Sequence, residues 1–191
     1  APSRSELTVG EGKPWGREKV AEYFVAAGFV VIYQDCRGRY QSEGHFEKYL
    51  SEAEDGADTV AWITAQPWCN GRVGTKGLSY AAHTQGALAC LNPPGLAVMF
   101  LDCGGFSNAY QGGIRLGGAF ELKQVTWALR NAREAPEVVA DPELGRRLAA
   151  VDINGWFGRM PWKRGESPLS LSPEYENYVF DQWEHGTFDD Y

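Results

Sequence analysis

Histidine is scarce in this sequence: His45, His83 and His185 are the only three, so chemistry needing an imidazole has few candidates. Cysteine is sparse too. Cys36, Cys69, Cys90 and Cys103 are widely spaced and form no C-x-x-C pair, which excludes a zinc knuckle and a disulfide framework. They read as reduced, mostly buried thiols, and no spacing in the chain implies a metal or an organic cofactor. A basic excess is lacking: 18 Lys and Arg face 25 Asp and Glu, a net charge of -7, so nothing would neutralise the phosphates of a nucleic acid. Long apolar runs are absent as well. The longest, "FVVIY" and "LAVMFL", are far too short to span a membrane. No signal peptide opens the chain. The reading is cytoplasmic, with the natural N-terminus expected to lie outside this chain.

What remains is the composition of a globular protein, 43% hydrophobic and 23% charged over 191 residues, enough for one domain with a real core or one domain plus an appendage. Aromatic residues reach 13%, with seven tryptophans, which suits a large core or an apolar cleft. Residues 1–16 are polar and rich in Gly and Pro, a loop. Residues 17–28 carry Val20, Phe24 and Val25 at helical spacing and stop at Gly28. The run 29–35, "FVVIYQD", has the continuous β-branched and aromatic character of a strand buried on both faces. A loop follows over 36–46, then a helix over 51–66 with an acidic first turn that suits its dipole. Residues 72–77 read as a short strand, 80–91 as a helix, and 96–103 as a buried strand. This alternation predicts a parallel sheet wrapped by helices.

After Cys103 the texture changes. A Gly-rich stretch leads into helical pieces over 120–133, 141–151 and 172–186 with no strand between them. The last two open with Asp141-Pro142 and Ser172-Pro173, a capping side chain followed by Pro at the first helical position. The expected fold class is α/β: a partial parallel sheet flanked by helices over residues 1–104, then a helical cap or insertion over 105–191.

Ser79 lies between the strand ending at Gly77 and the helix beginning at Tyr80. Strand, sharp turn and helix are the context of a nucleophile elbow, and Gly77, Ala81 and Ala82 keep the turn uncrowded. There the backbone N–H of Tyr80 would face a developing oxyanion, helped by the helix dipole. The plainer alternative is a serine that caps the helix.

The residues around this turn carry a resemblance. "GFVVIYQDCRGRYQSEGHF" followed by "EDGADTVAWITAQPWCNGRVGTKGLSYAAHTQ" resembles the α/β-hydrolase domain of the cocaine esterase and X-prolyl dipeptidyl-peptidase family. The likeness covers about residues 17–104 through D-x-R-G, S-E-G-x-F, D-x-x-D-T-x-x-W, P-W-C-N-G and G-x-S-Y in order. It continues more loosely through "GGAFELKQVTW" and the closing "H-x-x-x-D-D-Y". It implies a serine hydrolase acting on a small-molecule ester or amide through an acyl-enzyme. Ser79 would be the nucleophile, the Tyr80 N–H one oxyanion donor, and the helical part a cover over the acyl pocket. No cofactor is implied. One departure is Ala82, where many members of the family have Gly. The family's second oxyanion donor, a tyrosine hydroxyl, has no counterpart here, its place falling just before Ala1.

A serine nucleophile needs a base oriented by a carboxylate. His45 sits in a loop before the serine and reads as solvated. His83 is four residues after Ser79 on the same helix, where its side chain leaves the helix wall. His185 ends a helix with no strand before it. Asp102 ends the strand after the elbow helix but reads as a turn former, and Asp189 and Asp190 as solvated. Asp35, Arg37 and Glu43 are expected to form an ion-pair and turn cluster. The expectation is therefore a fragment, lacking the strands that carry the triad acid and base, and inactive by itself. Trp127, Trp156, Phe157 and Trp162 could line an acyl pocket or fill the cap core, with Trp127 the strongest candidate for substrate contact. A different class of function stays open: a non-catalytic α/β-hydrolase-like binding module that keeps the scaffold without the triad. Cys36 or Cys103 as nucleophile is set aside, since neither lies on an elbow.

Overall fold

The computed structural model describes residues 15–104 and 114–186. It divides into two compact units, Ala1–Ser107 and Asn108–Tyr191.

The first unit runs α1 (Arg17–Ala26), α2 (Glu52–Thr64), β1 (Val73–Leu78), α3 (Tyr80–Cys90) and β2 (Leu96–Asp102). β1 and β2 pair in parallel, from Val73 opposite Leu96 to Leu78 opposite Asp102. Parallel neighbours need a crossover, and α3 is that crossover. It packs on both strands and on α2, around Val60, Ala82 and Leu88, which are all buried. Mixed helix and strand content around a small parallel sheet makes this an α/β fold.

The run 29–35 departs from expectation: it forms no strand. Phe29, Val30, Ile32 and Tyr33 are exposed rather than buried on two faces. Strand formation depends on a ladder partner more than on intrinsic preference, and among the described residues no strand pairs with this run. It is held by side chains instead: the Tyr33 hydroxyl donates to the Arg17 carbonyl at 2.9 Å, and Thr59 Oγ1 to Gln34 Oε1 at 2.8 Å. The cysteines are also less buried than expected. All four are free, Cys90 and Cys103 exposed and Cys36 and Cys69 half-buried.

The second unit begins its described part with a hairpin that the sequence pattern did not suggest. β3 (Arg115–Leu116) and β4 (Ala119–Phe120) pair antiparallel. Gly117 and Gly118 join them at φ of 59° and 85°, the two consecutive positive values that a primed two-residue turn requires. Helices follow: α4 (Lys123–Ala132), α5 (Pro136–Ala140), α6 (Pro142–Ala149), α7 (Ile153–Phe157) and α8 (Pro173–Glu184). α4 buries Val125, Ala128, Leu129 and Ala132, one face at helical spacing, and packs beside α8. Asp141 caps α6 as expected, accepting from the N–H groups of Glu143 and Leu144 at 3.0 and 3.2 Å.

Ser172 does not repeat that role at α8. Its side chain makes no capping bond, and its buried hydroxyl oxygen has no partner among the described residues. Glu176, in the first turn of α8, accepts from the Gly165 N–H at 3.0 Å and from the Ser167 hydroxyl at 2.5 Å. At the other end Arg115 Nη2 donates to the carbonyls of Gln182, Trp183 and His185, satisfying acceptors that the last helical turn leaves open. The core of this unit gathers Leu148, Leu169, Val179, Phe180 and Trp162. Leu148 is fully buried there. Leu148→Ala is expected to lower stability by roughly 2–5 kcal/mol, read as a shift of the urea midpoint.

Candidate active site

β1 ends at Leu78 and α3 starts at Tyr80, leaving a single residue to reverse the chain. Ser79 does so at φ 58°, ψ −114°. A non-glycine residue held there costs about 1–3 kcal/mol and persists only where its surroundings enforce it. Two glycines and one rung of the sheet supply that enforcement. A Cβ at Gly77 would lie 2.5 Å from the Ala81 carbonyl oxygen and 2.6 Å from its Cβ, so α3 folds back over β1 only because residue 77 has no side chain. A Cβ at Gly104 would lie 2.6 Å from the Ser79 carbonyl oxygen and 3.1 Å from the Ala82 Cβ. The Ser79 N–H donates to the Asp102 carbonyl at 2.9 Å, tying the turn to the end of β2.

The Gly104 contact also accounts for Ala82. Its methyl is fully buried and sits against the bare backbone of residue 104. The extra carbon at 82 is accommodated where 104 is glycine.

Ser79 is the residue before α3, yet its hydroxyl does not cap the helix. Its carbonyl serves instead, accepting from the N–H groups of Ala82 and His83 at 2.9 and 3.0 Å. The side chain is exposed and makes no hydrogen bond among the described residues. Tyr80 opens α3, so its N–H is one of the first-turn donors without a partner inside the helix. An exposed hydroxyl on a strained turn, beside a first-turn amide that has no partner inside its helix, is a position that would suit a nucleophile.

The three histidines are placed as follows. His45 is exposed on the loop between residues 36 and 46. His83, one turn along α3, is half-buried with its ring 4.3 Å from that of Tyr49 and 6.0 Å from that of Tyr80. Burial first, and the Lys48 ammonium second, push its pKa below the ordinary 6.5. His185 caps the end of α8 in the second unit. Among the described residues, no imidazole is hydrogen-bonded to the Ser79 hydroxyl. Asp102 is half-buried at the end of β2, and Asp189 and Asp190 lie outside the described residues. Trp127 belongs to the second unit. It is half-buried there, packed on the helical core with ring centroids 6.2 Å from Tyr175 and 5.3 Å from Tyr178. Trp156, Phe157 and Trp162 pack on that same core, with Phe157 and Trp162 stacked at 6.0 Å.

Of the cluster expected of Asp35, Arg37 and Glu43 the turn forms, with the Asp35 carbonyl accepting from the Ser42 hydroxyl at 3.2 Å, but the ion pair is made elsewhere. Arg37 makes a two-point ion pair with Asp55 of α2, with Nε to Oδ2 at 3.1 Å and Nη2 on Oδ1. This pairing holds the Asp55 carboxyl below its usual range. Glu43 contributes its carbonyl, accepting from the Gly38 N–H at 2.9 Å. The polar groove that these residues line does not include Ser79. Among the described residues, no group of three His, Cys, Asp or Glu side chains is placed to hold a metal.

Sequence reasoning missed the residues underneath the turn. Glu52 is buried, and its Oε1 accepts the hydroxyl of Tyr80 and, at 3.4 Å, the N–H of Tyr49. In the sequence Glu52 is one of three acidic residues that complement a helix dipole. Nothing local connects it to Tyr80, 28 residues on.

A model of the X-Pro dipeptidyl-peptidase (S15) family matches residues 3–191. The chain belongs to that family. Cocaine esterase from Rhodococcus sp. (strain MB1 Bresler) is 42% identical over 73 residues, 38% of this chain and 13% of that protein. Provisionally named serine esterases of Mycobacterium bovis and Mycobacterium tuberculosis are each 30% identical over 140 residues, 72% of this chain and 20% of theirs. The chain thus spans a fifth or less of the length of these curated relatives. Among the described residues, no helix of this family member is long and apolar enough to cross a membrane.

Two outcomes are expected. Gly104→Ala should destabilise the protein by about 1–3 kcal/mol, the cost of forcing a carbon into a filled space, measured by urea unfolding. Because the pKa of His83 is lower when folded than when unfolded, the unfolded chain takes up the proton first as pH falls. Stability should be full above about pH 6.5 and decline below it. His83→Gln should flatten that decline in melting temperatures taken across the range.

Proposed function

We propose that the protein is a serine hydrolase of the acyl esterase type, in which Ser79 carries the acyl group of a small-molecule ester or amide. The observation that supports this most is the backbone of Ser79: strained, uncrowded by virtue of Gly77, and presenting a hydroxyl that its helix does not use. Membership of the S15 family and likeness to proteins named as esterases agree with it.

In the proposed reaction Ser79 Oγ attacks the carbonyl carbon while its proton passes to a general base. The Tyr80 N–H takes up the charge that develops on the carbonyl oxygen. Collapse of the tetrahedral intermediate expels the alcohol or amine, which receives the proton from the base. Water then hydrolyses the acyl-serine by the same steps in reverse order. One oxyanion donor of this kind is worth roughly 10²–10³ in kcat.

The base and its orienting carboxylate are proposed to come from outside the described residues, because none of the three imidazoles bonds to the Ser79 hydroxyl. The second unit would act as a helical cap, with Trp127 contributing to the acyl pocket. Neither role alters the assignment of the nucleophile.

A fluorophosphonate probe tests the assignment. In the intact protein it should modify Ser79 stoichiometrically, mapped by peptide mass, and Ser79→Ala should abolish both labelling and ester turnover. This chain alone should turn over p-nitrophenyl esters no faster than Ser79→Ala does. Absence of labelling in the intact protein would favour the non-catalytic module instead.

A further inference from the structure

Beneath the elbow, three segments meet on one phenol. Tyr80 follows Ser79 directly, and its hydroxyl donates to Glu52 Oε1 at the start of α2. The same hydroxyl accepts the N–H of Tyr49 at 3.2 Å, from a residue itself held at φ 75°. The rings of Tyr49 and Phe46 pack against the Tyr80 ring, with centroids 5.4 and 6.2 Å from its own. Burial, with the Glu52 carboxylate second, drives the Tyr80 hydroxyl far above its ordinary pKa, so it stays protonated and remains a donor.

This arrangement is a poor one for stability alone. Glu52 is only 6% exposed, and its Oε2 has no hydrogen-bond partner among the described residues. A carboxylate buried with half its accepting capacity unused costs free energy that an apolar pair of similar size would not. What the carboxylate does provide is a fixed point. Tyr80 is the first residue of α3, and the peptide plane between Ser79 and Tyr80 carries the N–H that would face the oxyanion. The ψ angle of Ser79 sets the direction of that plane, and at −114° it sits away from the values a serine adopts unaided. Fixing the Tyr80 ring from behind resists rotation of this plane.

We infer that Glu52 is a positioning residue for the reaction: through the Tyr80 hydroxyl it holds the Tyr80 N–H in the direction that stabilises the transition state. The inference rests on the assignment of Ser79 as nucleophile and extends the working site to a residue 27 positions earlier in the chain, with no contact of its own to substrate. Tyr49 completes the clamp from the loop side.

The intact protein, with active sites counted by fluorophosphonate titration, separates this role from a purely structural one. Glu52→Ala removes the acceptor. It should lower kcat per titrated site by about ten-fold, a fraction of what deleting an oxyanion donor costs, and leave KM within about two-fold. The affinity for a trifluoromethyl ketone, whose adduct carries the oxyanion, should fall by the same factor as kcat. Glu52→Gln keeps a carbonyl oxygen to receive the Tyr80 hydroxyl and should recover most of the loss. Tyr80→Phe, which removes the donor instead, should behave like Glu52→Ala.

A kcat per titrated site unchanged in Glu52→Ala, a change confined to KM, or equal losses in the Ala and Gln variants would overturn the inference. If the Ala variant does not fold, the Gln and Phe variants carry the comparison: Gln near wild type with Phe impaired supports the role, and both near wild type overturn it. If Ser79 of the wild-type protein does not titrate, the hydrolase reading falls and this inference with it. Titration of Ser79 with no effect of Glu52 removes only the inference.

Discussion

The backbone of one residue organises the first unit. Ser79 turns the chain from β1 into α3 at φ 58°, ψ −114°, a conformation that a side chain at either Gly77 or Gly104 would prevent. The parallel pairing of β1 with β2 delivers Gly104 to the Ser79 carbonyl, and the Asp102 carbonyl closes the last rung on the Ser79 N–H. Strain of about 1–3 kcal/mol at such a point is tolerated because the surrounding packing offsets it. What the strain achieves is geometric: a small hydroxyl leaves the end of a strand, free of helix capping, next to the first amides of a helix.

The consequences run inward from that turn. α3 carries Ala82 against Gly104 and Leu88 into the core with Val60 of α2. Tyr80 reaches under the elbow to Glu52 and Tyr49, so α2 and the loop before it are connected to the turn by hydrogen bonds as well as by packing. The second unit rests on a different principle. Its core is aromatic and aliphatic, assembled from short helices, and its polar anchors, Arg115 and Glu176, act at the two ends of α8.

The elements around Ser79 were legible because they are locally encoded. The Gly77-x-Ser79 spacing, the helical period of residues 80–91 and the strand read at 96–103 each depend on neighbours in sequence, as does the Asp141 cap. The burial expected of that strand does not hold, since Val98, Phe100 and Leu101 are exposed. The run 29–35 was misread because apolar, β-branched character states a preference for burial and not the presence of a ladder partner. Ser172 was misread for a related reason: a serine before Pro signals a cap, but its hydroxyl makes no capping bond, and the first-turn carboxylate of Glu176 is engaged with Gly165 and Ser167 from the preceding segment. The short hairpin at 115–120 hid in a glycine-rich stretch. Glu52 and Gly104 were invisible as site residues, because their partners Tyr80 and Ser79 meet them only once the sheet and crossover have formed.

As proposed, Ser79 would be a working nucleophile held in a strained elbow. Pre-steady-state hydrolysis of a chromogenic ester by the intact protein, quenched early and mapped by peptide mass, tests it directly. A nucleophilic Ser79 should give a burst of about one equivalent, with the acyl group on the peptide containing Ser79. Turnover without a burst and with no acylated peptide, or an acyl group on any other residue, would contradict it.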